Sequence, residues 1–430
     1  MRRRLSSCLK LLPSSVSEVA RAISRISLSG GGADNGSCLN SVCRRGRMPI
    51  FSKNEINRRL QRFRSQFGEC DVGIGFSFTN SYYLSGAPIM HSGRPTITVV
   101  PKHGEPVIVI AEIEKGRALL LSPIKDFRSY TDDDGPNVEA ALRILVDVLK
   151  DLKAKNVGYD ANWTPAATIN LLKTLLPELE FTDLSSVFDG MRLVNSDEEI
   201  EIVRASSAIA DVGMQAFLSE AKIGMREIEL AGISMRAMTE FAGRSYPDTE
   251  VKVSFASQQG LRSLQAHGGT NGEPLSSGQL MCVVTTAFAW SYNTAVERVV
   301  ALGDLNPEQE RLRDALILAH RSAIDAVAPG VACSAVDNVA RKIFTAAGFT
   351  QVHCGTGLAR GVQNDFEGRI DRGNIRSYNH APLLPGMAIT IEPWAIVPGV
   401  GAPRNCDMVL VTDTGHEVLT KTPAGKLRIG

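Results

Sequence analysis

The sequence predicts a mixed α/β (α+β) protein, with a small N-terminal α/β domain followed by a larger second domain. The chain has 430 residues, too many for one small hydrophobic core. Short apolar runs alternate with amphipathic stretches in its first half, a pattern typical of layered α/β domains. Near residues 191–196 longer amphipathic stretches take over. We therefore predict a leader at residues 1–47 and domains at residues 48–190 and 191–430.

The leader differs in charge from the rest of the chain. Residues 1–47 hold nine Lys or Arg against Glu18 and Asp34, a charge of 9 − 2 = +7, whereas the whole chain carries +1. Because the leader is rich in Arg and Ser and lacks a continuous apolar core, it resembles an organelle transit peptide. A disordered or wrongly translated extension before Met48 is an equal alternative. We predict an intracellular protein, either cytoplasmic or, with a transit peptide, mitochondrial or plastidic.

Composition excludes several classes of function. Apolar residues make up 43% of the chain, and no apolar run approaches the roughly 20 residues that cross a bilayer. The body after the leader sums to 1 − 7 = −6, which argues against nucleic-acid binding. The eight Cys are scattered without a CxxC pair, so we expect free thiols in a reducing compartment.

In the first domain, runs rich in β-branched residues predict strands, and amphipathic stretches predict helices. A loop is predicted at the aromatic residues 82–86. The predicted helices cover residues 53–67, 139–153 and 166–175, and the predicted strands cover residues 72–76, 97–100, 107–111 and 156–159, the last being the final strand of the domain.

The second domain begins with a helix-capping signal. Ser196 or Asn195 can cap a helix whose first turn holds Asp197, Glu198 and Glu199, as the helix dipole favours. Apolar periodicity then separates helices from strands. The predicted helices cover residues 197–219, 225–243, 307–327 and 334–348, and extended segments are predicted at residues 280–286, 291–299, 387–391, 408–411 and 417–419.

Four local motifs occur in a fixed order in the second half. They lie at residues 265–269, 292–298, 385–393 and 404–412. Together they resemble the catalytic domain of the creatinase/aminopeptidase P/prolidase superfamily, which has the pita-bread fold. The resemblance covers roughly residues 50–425. It implies a pita-bread catalytic domain at residues 191–430 and a creatinase-like domain before it.

The resemblance also assigns positions for metal ligands. Metallopeptidases of this superfamily use two Asp, one His and two Glu, and those positions correspond here to Val284, Ala295, Thr356, Glu392 and Cys406. Only one of the five ligands is retained, and a single carboxylate cannot hold two metal ions. We therefore expect no metal and no other cofactor.

The metal-independent, creatinase-like branch matches these residues better. The segment from Tyr292 to Arg298 resembles that of creatinase, which implies that Glu297 and Glu392 grip the substrate and that His267 is the catalytic acid/base. A His that titrates near neutrality can activate water and then protonate a leaving nitrogen. Two converging carboxylates can bind an amidinium or guanidinium group.

Further candidates for substrate binding come from the same motifs: Arg94, Tyr292, Thr356, Arg360 and Cys406. Arg94 resembles the Arg that reaches into the neighbouring subunit's site, which implies a homodimer and a carboxylate clamp in trans. Where the family has a carboxylate-binding basic residue, the segment at residues 360–367 places an acid, and Arg360 is a candidate substitute. Cys406 is expected to line the pocket rather than act as a nucleophile.

These features predict a metal-independent hydrolase of a C–N bond in a small zwitterionic or cationic guanidino, amidine or amide compound. A lyase on the same fold and an Xaa-Pro peptidase-like pseudoenzyme that acts as a binding module stay open. Neither nucleic acid nor a membrane is an expected partner. Purely structural roles are also open: a loop position for His267, an ion pair between Glu297 and Arg298, and a strand end for Glu392.

Overall fold

The computed structural model describes residues 50–90, 93–349, 354–363 and 370–430. The predicted leader at residues 1–47 lies outside the described residues. The described residues all belong to one compact unit that spans residues 48–430. The predicted boundary between residues 190 and 191 stays a prediction. Within the described ranges, no helix is both long enough and apolar enough to cross a membrane.

The N-terminal part of the described chain is built on a six-stranded sheet. Its strands follow the order β4-β3-β2-β1-β5-β6, in which β1 pairs antiparallel with β2 and parallel with β5. Buried apolar side chains of this sheet pack against the helices around it. The strands are β1 (Val72–Gly75), β2 (Ile97–Pro101), β3 (Val107–Ala111), β4 (Asp126–Tyr130), β5 (Asn156–Tyr159) and β6 (Glu180–Asp183), and the helices are α1 (Lys53–Arg64), α2 (Phe78–Ser85), α3 (Glu112–Leu121), α4 (Asn137–Asp151), α5 (Ala166–Leu175) and α6 (Ser185–Arg192).

Two predictions for this part are wrong. The aromatic segment predicted as a loop belongs to helix α2, which Ser77 caps and Gly86 ends at a φ of 75°. Every residue of α2 is buried, so the segment has no amphipathic period to reveal a helix. Strand β5 is not the final strand, because β6 pairs parallel with it. Strand β6 lies at the sheet edge and carries Glu180 and Asp183, so it lacks an apolar run.

The second half contains two further sheets within the described residues. One has the order β15-β9-β8-β7 and the other the order β11-β10-β12-β13-β14. Helices α7 and α8 pack on the first of these sheets, and α9 and α10 pack on the second. The strands are β7 (Val251–Gln259), β8 (Gln279–Ala289), β9 (Tyr292–Leu302), β10 (Gly357–Arg360), β11 (Ile370–Ile375), β12 (Ala388–Ile391), β13 (Asp407–Val411), β14 (His416–Val418) and β15 (Leu427–Ile429), and the helices are α7 (Asp197–Glu220), α8 (Glu227–Ser245), α9 (Pro307–Asp325) and α10 (Cys333–Ala346).

The capping signal of α7 and the predicted hairpin both form. Ser196 caps α7, and Glu199 completes the capping box. Strands β8 and β9 pair antiparallel in a register that places Val284 opposite Glu297. A bridge between Glu297 and Cys406 joins β9 to the residue before β13, so the two sheets meet at this point.

An ion pair lies buried where the two sheets meet. Arg298 has no exposed surface and donates through Nη2 to Asp407 Oδ1 at 2.7 Å. Its Nη1 also donates to the carbonyl oxygens of Glu297 and Cys406. On the other side of Asp407, His320 Nε2 is 3.3 Å from Oδ2 but is not aligned for a hydrogen bond. Arg298 therefore pairs with Asp407 and leaves the Glu297 carboxylate free for another partner.

His320 is expected to make the fold sensitive to acid. Burial lowers its pKa from 6.5 to about 4, and Asp407 only partly opposes this effect. Below about pH 6.5 His320 binds a proton in the unfolded chain but stays neutral in the folded chain. Its contribution to the free energy of unfolding is therefore fully present above about pH 6.5 and is lost as the pH falls to about 4. The full loss is about 3 kcal/mol. H320Q should flatten this slope in urea-unfolding measurements across that range, whereas H103Q, at an exposed site, should leave it unchanged.

Candidate functional site

A cavity of about 740 Å³ lies between the two sheets of the second half. One wall is a single face of β7, β8 and β9, because residues opposite one another in antiparallel strands point to the same side. The other wall comes from β10 and from the segments that follow β11 and β12. The lining residues on the β8–β9 face include Cys282, Val284, Thr286, Ala295 and Glu297.

Glu297 is the buried carboxylate of this cavity, with 6% of its surface exposed. Burial raises its pKa, and the charge of Glu392 raises it further, while Arg404 and Arg360 oppose the rise. Arg404 Nε is 3.2 Å from Glu297 Oε2, although the two atoms are not aligned for a hydrogen bond. The contact is therefore ionic, and Glu297 can hold a proton at a higher pH than an exposed Glu.

Glu392 reaches the same cavity from the opposite sheet. It follows β12 directly, and its backbone N–H donates to the carbonyl of Thr356 at 2.6 Å. The thiol of Cys406 donates to Glu392 Oε2 at 3.6 Å. The structure thus brings the two predicted carboxylates, Glu297 and Glu392, to one cavity from separate sheets.

Arg404 is a site residue that the sequence interpretation missed. Its guanidinium lies over the ring of Trp394, 4.7 Å from the centroid, and both side chains line the cavity. A backbone bridge between Trp394 and Arg404 holds the two residues together. The charges of Glu297 and Glu392 raise the pKa of Arg404 despite its burial. The motif at residues 404–412 contained this Arg, but the motif alone did not indicate which way its side chain points.

Positive charge predominates in the described lining of the cavity. Arg360, Arg376 and Arg404 line it together with Glu297 and Glu392, so the formal sum is 3 − 2 = +1 with His267 neutral. Arg376 Nη1 donates to the Gly357 carbonyl at 2.7 Å, and Arg360 Nη1 donates to Gln363 at 3.3 Å. Arg360 therefore lies at the cavity as expected, and Arg376 joins it unexpectedly. A carboxylate-bearing ligand suits this lining.

His267 also lines the cavity, from the loop between β7 and β8. Its side chain is exposed, in contrast to the buried carboxylates. Of the three residues predicted to be catalytic, the structure brings all three to one cavity, with His267 on the solvent side.

Three predicted substrate-binding residues do not line the cavity. Tyr292 has no exposed surface, and its hydroxyl donates to Glu199 Oε1 at 2.8 Å. The hydroxyl of Thr356 donates to Asp337 at 2.8 Å. Cys406 is fully buried, and burial raises the pKa of its thiol well above the ordinary value. These side chains support the walls, because the hydroxyls of Tyr292 and Thr356 bond to carboxylates outside the cavity and the Cys406 thiol bonds to Glu392, which lines it.

Arg94 lies away from this cavity within the chain. Its guanidinium donates to both carboxylate oxygens of Asp132, from Nε at 2.9 Å and from Nη2 at 2.5 Å. Both side chains are partly exposed. An action of Arg94 in the site of a second subunit stays a prediction.

Comparisons with known proteins agree with this architecture. The model of the Creatinase/Prolidase N-terminal domain matches residues 59–194, and that of Metallopeptidase family M24 matches residues 201–413. The chain is 26% identical over 385 residues to creatinase from Bacillus sp. (strain B-0618), covering 88% of this chain and 93% of that protein. It is also 26% identical over 344 residues to an Xaa-Pro dipeptidase from Pyrococcus horikoshii, covering 80% and 90%.

Solved structures show the same fold. The prolidase from Pyrococcus horikoshii OT3 superposes with a TM-score of 0.73 at 23% identity, over 85% of this chain and 99% of that one. The Xaa-Pro dipeptidase from Bacillus anthracis gives a TM-score of 0.74 at 21% identity, over 87% and 100%. The predicted mixed α/β fold, with an N-terminal domain and a C-terminal pita-bread domain, is confirmed.

A metal pair, which the M24 model implies, does not fit the residues present. Val284 and Ala295 face the cavity without a donor atom, and the Thr356 hydroxyl is directed to a carboxylate outside the cavity. Burial raises the pKa of the Cys406 thiol, which disfavours the thiolate that a metal ligand needs. Arg404 places a cation against Glu297. Among the residues that the structure describes, no three His, Cys, Asp or Glu cluster as metal ligands.

Proposed function

The chain belongs to the creatinase/M24 superfamily, and on this basis we propose that it is a metal-independent hydrolase of a C–N bond in a small, carboxylate-bearing compound. Glu297 carries the proposal, because it is a buried carboxylate with a raised pKa that faces a second carboxylate across the cavity. Such a group holds its proton to a higher pH than an exposed Glu does, which suits an acid/base role that needs no metal ion. Glu392 and His267 complete the set of acid/base groups.

The proposed step needs one water molecule. Its oxygen attacks the carbon of the amide or amidine while Glu297 or His267 takes the proton. The C–N bond then breaks, and the leaving nitrogen receives a proton from the same set of groups. Arg404, together with Arg360 and Arg376, holds the substrate carboxylate, which orients the reacting carbon.

The charge of the cavity changes the substrate class that the sequence predicted. A purely cationic compound would have only Glu297 and Glu392 as counter-ions among the described lining residues, and the Arg404 guanidinium already lies against Glu297. A zwitterion or an N-substituted amino acid avoids this conflict because its carboxylate pairs with an Arg. The relatives' names suggest two precedents. One is the hydrolysis of a guanidino acid by creatinase, and the other is the hydrolysis of dipeptides by Xaa-Pro dipeptidases.

Turnover of N-acyl, amidino and guanidino acids and of Xaa-Pro dipeptides is the direct test. We expect activity on a member of this panel that persists after dialysis against a chelator, in protein with less than stoichiometric metal. H267A should lower the rate by about 100-fold or more, because it removes an acid/base group. H103A, at an exposed site outside the cavity, should keep the parent rate.

Three outcomes would overturn the proposal. The first is activity that disappears with the chelator and returns with a divalent metal. The second is an unchanged rate in H267A. The third is a product formed without oxygen from heavy-oxygen water, which would identify a lyase instead of a hydrolase.

A further inference from the structure

The placement of His267 depends on three side chains, of which Gln258 lines the cavity and the other two lie behind it. The imidazole is exposed and makes no hydrogen bond or ion pair within the described part of the chain. Its position relative to Glu297 must therefore come from the backbone of the loop that carries it. An exposed loop with free backbone groups would instead sample many conformations.

Arg262 fixes this loop from one side. Its Nη2 donates to the carbonyl of Gly269 at 3.0 Å, two residues after His267. Its Nη1 donates to both carboxylate oxygens of Glu227 at 2.9 Å, and to Glu273 at 3.2 Å. One guanidinium thus joins the loop, the first residue of α8 and the segment that returns to β8.

The anchor of Arg262, Glu227, is buried and has a further hydrogen-bond partner. Glu227 has no exposed surface and begins α8, where a carboxylate is favoured by the helix dipole. Its Oε2 also accepts a hydrogen bond from the Ser257 hydroxyl on β7 at 3.2 Å. A buried carboxylate with these partners cannot move without losing charge-assisted hydrogen bonds.

Gln258 fixes the loop from the other side. Its side-chain amide donates to the carbonyls of Gln265 and Gly268, the residues that bracket His267. The approach is so close that a Cβ at residue 268 would lie 2.8 Å from Gln258 Nε2, which only glycine avoids. Next along the chain, the Thr270 hydroxyl accepts the backbone N–H of Ser257 at 3.0 Å.

We infer that Glu227, Arg262 and Gln258 are positioning residues that hold the backbone of His267 at the cavity. This inference rests on the proposed function for the role of His267, but the placement itself does not depend on it. The physical reason is that acid/base catalysis loses rate steeply when the group is displaced by about 1 Å.

The test is the ring spectrum of the folded, full-length protein labelled with ¹³C-histidine, in which H267Q identifies the His267 resonance. In R262Q we expect that resonance to shift and broaden, with a lesser change in R262K, which keeps the charge. Q258M should change the resonance in a similar way. Because it leaves no buried charge unpaired, it replaces R262Q in the test if R262Q folds poorly. The matched control is R236Q, which breaks the exposed ion pair of Arg236 with Glu240 on α8.

Kinetics supply the second measurement. On any substrate that the parent protein turns over, R262Q and Q258M should lower kcat on the order of tenfold or more with a smaller change in KM. An unchanged His267 resonance in both variants overturns the inference, whatever the reaction. A displaced resonance in R262Q or Q258M, combined with full activity of H267A, supports the positioning role and instead overturns the proposed function.

Discussion

Replacing Arg298 by methionine is expected to lower the free energy of unfolding by about 3–5 kcal/mol. Methionine fills much of the same volume but removes the partner of the buried Asp407 carboxylate, 2.7 Å away. It also removes the hydrogen bonds that the guanidinium donates to the carbonyl oxygens of Glu297, Cys406 and Pro423. Unfolding in urea, followed by far-ultraviolet circular dichroism, measures the change.

Two further variants make this result specific. R298M/D407N should recover part of the loss, because it removes the unpaired buried charge. R311M changes an Arg whose side chain is 55% exposed and 3.7 Å from Glu308, and it should stay within about 0.5 kcal/mol of the parent. An urea midpoint of R298M equal to that of the parent would show that the buried ion pair does not stabilise the fold.

Replacing Arg404 by methionine is expected to weaken the binding of carboxylate-bearing ligands by about 10- to 100-fold, which corresponds to about 1.5–3 kcal/mol. The methionine side chain can still pack on Trp394, so the change isolates the loss of the guanidinium. With its nearest cation gone, Glu297 should bind its proton more tightly, because Arg404 opposes the rise of its pKa. The pH at which Glu297 loses its proton, read from the pH dependence of ligand binding, should therefore rise.

Calorimetric titration with N-acetylglycine and N-acetylglycinamide measures this effect, since the two probes differ only in the carboxylate. The parent should prefer the acid, and R404M should lose most of that preference. R404K should retain part of it, because lysine keeps the charge but not the planar donor geometry. Equal affinities of the parent for both probes would contradict the charge assignment of the cavity.

The hairpin of β8 and β9 shows which features the sequence predicts and which it does not. The apolar run before residue 286 and the extended segment after residue 290 predict two strands, and the pairing of Val284 with Glu297 follows from a two-residue turn. That turn is formed by Trp290 and Ser291, both at positive φ, instead of the favoured Asn-Gly. The local sequence does not indicate it. Hydrogen bonds from Tyr82 to the Trp290 carbonyl and from Trp290 to the Glu250 carbonyl hold it.

Two of the elements that the sequence interpretation missed have a common cause. Helix α2 is buried on all sides and strand β6 is half-exposed at an edge, so neither shows the period of its type. The same limit applies to Tyr292, which lies in a site motif but points toward Glu199. A motif specifies which residues are near one another in the chain, whereas the direction of a side chain depends on what packs against it.

By itself the sequence determined the mixed α/β class and the order of most helices and strands, and the resemblance of its motifs pointed to Glu297, Glu392 and His267. These features follow from the spacing of apolar residues and from local motifs, which depend on residues that are close together in the chain. Only the tertiary structure decided that Arg404 lies against Glu297 and that Arg298 pairs with Asp407 instead. Both contacts join residues about a hundred positions apart, so they exist only once the two sheets have packed together.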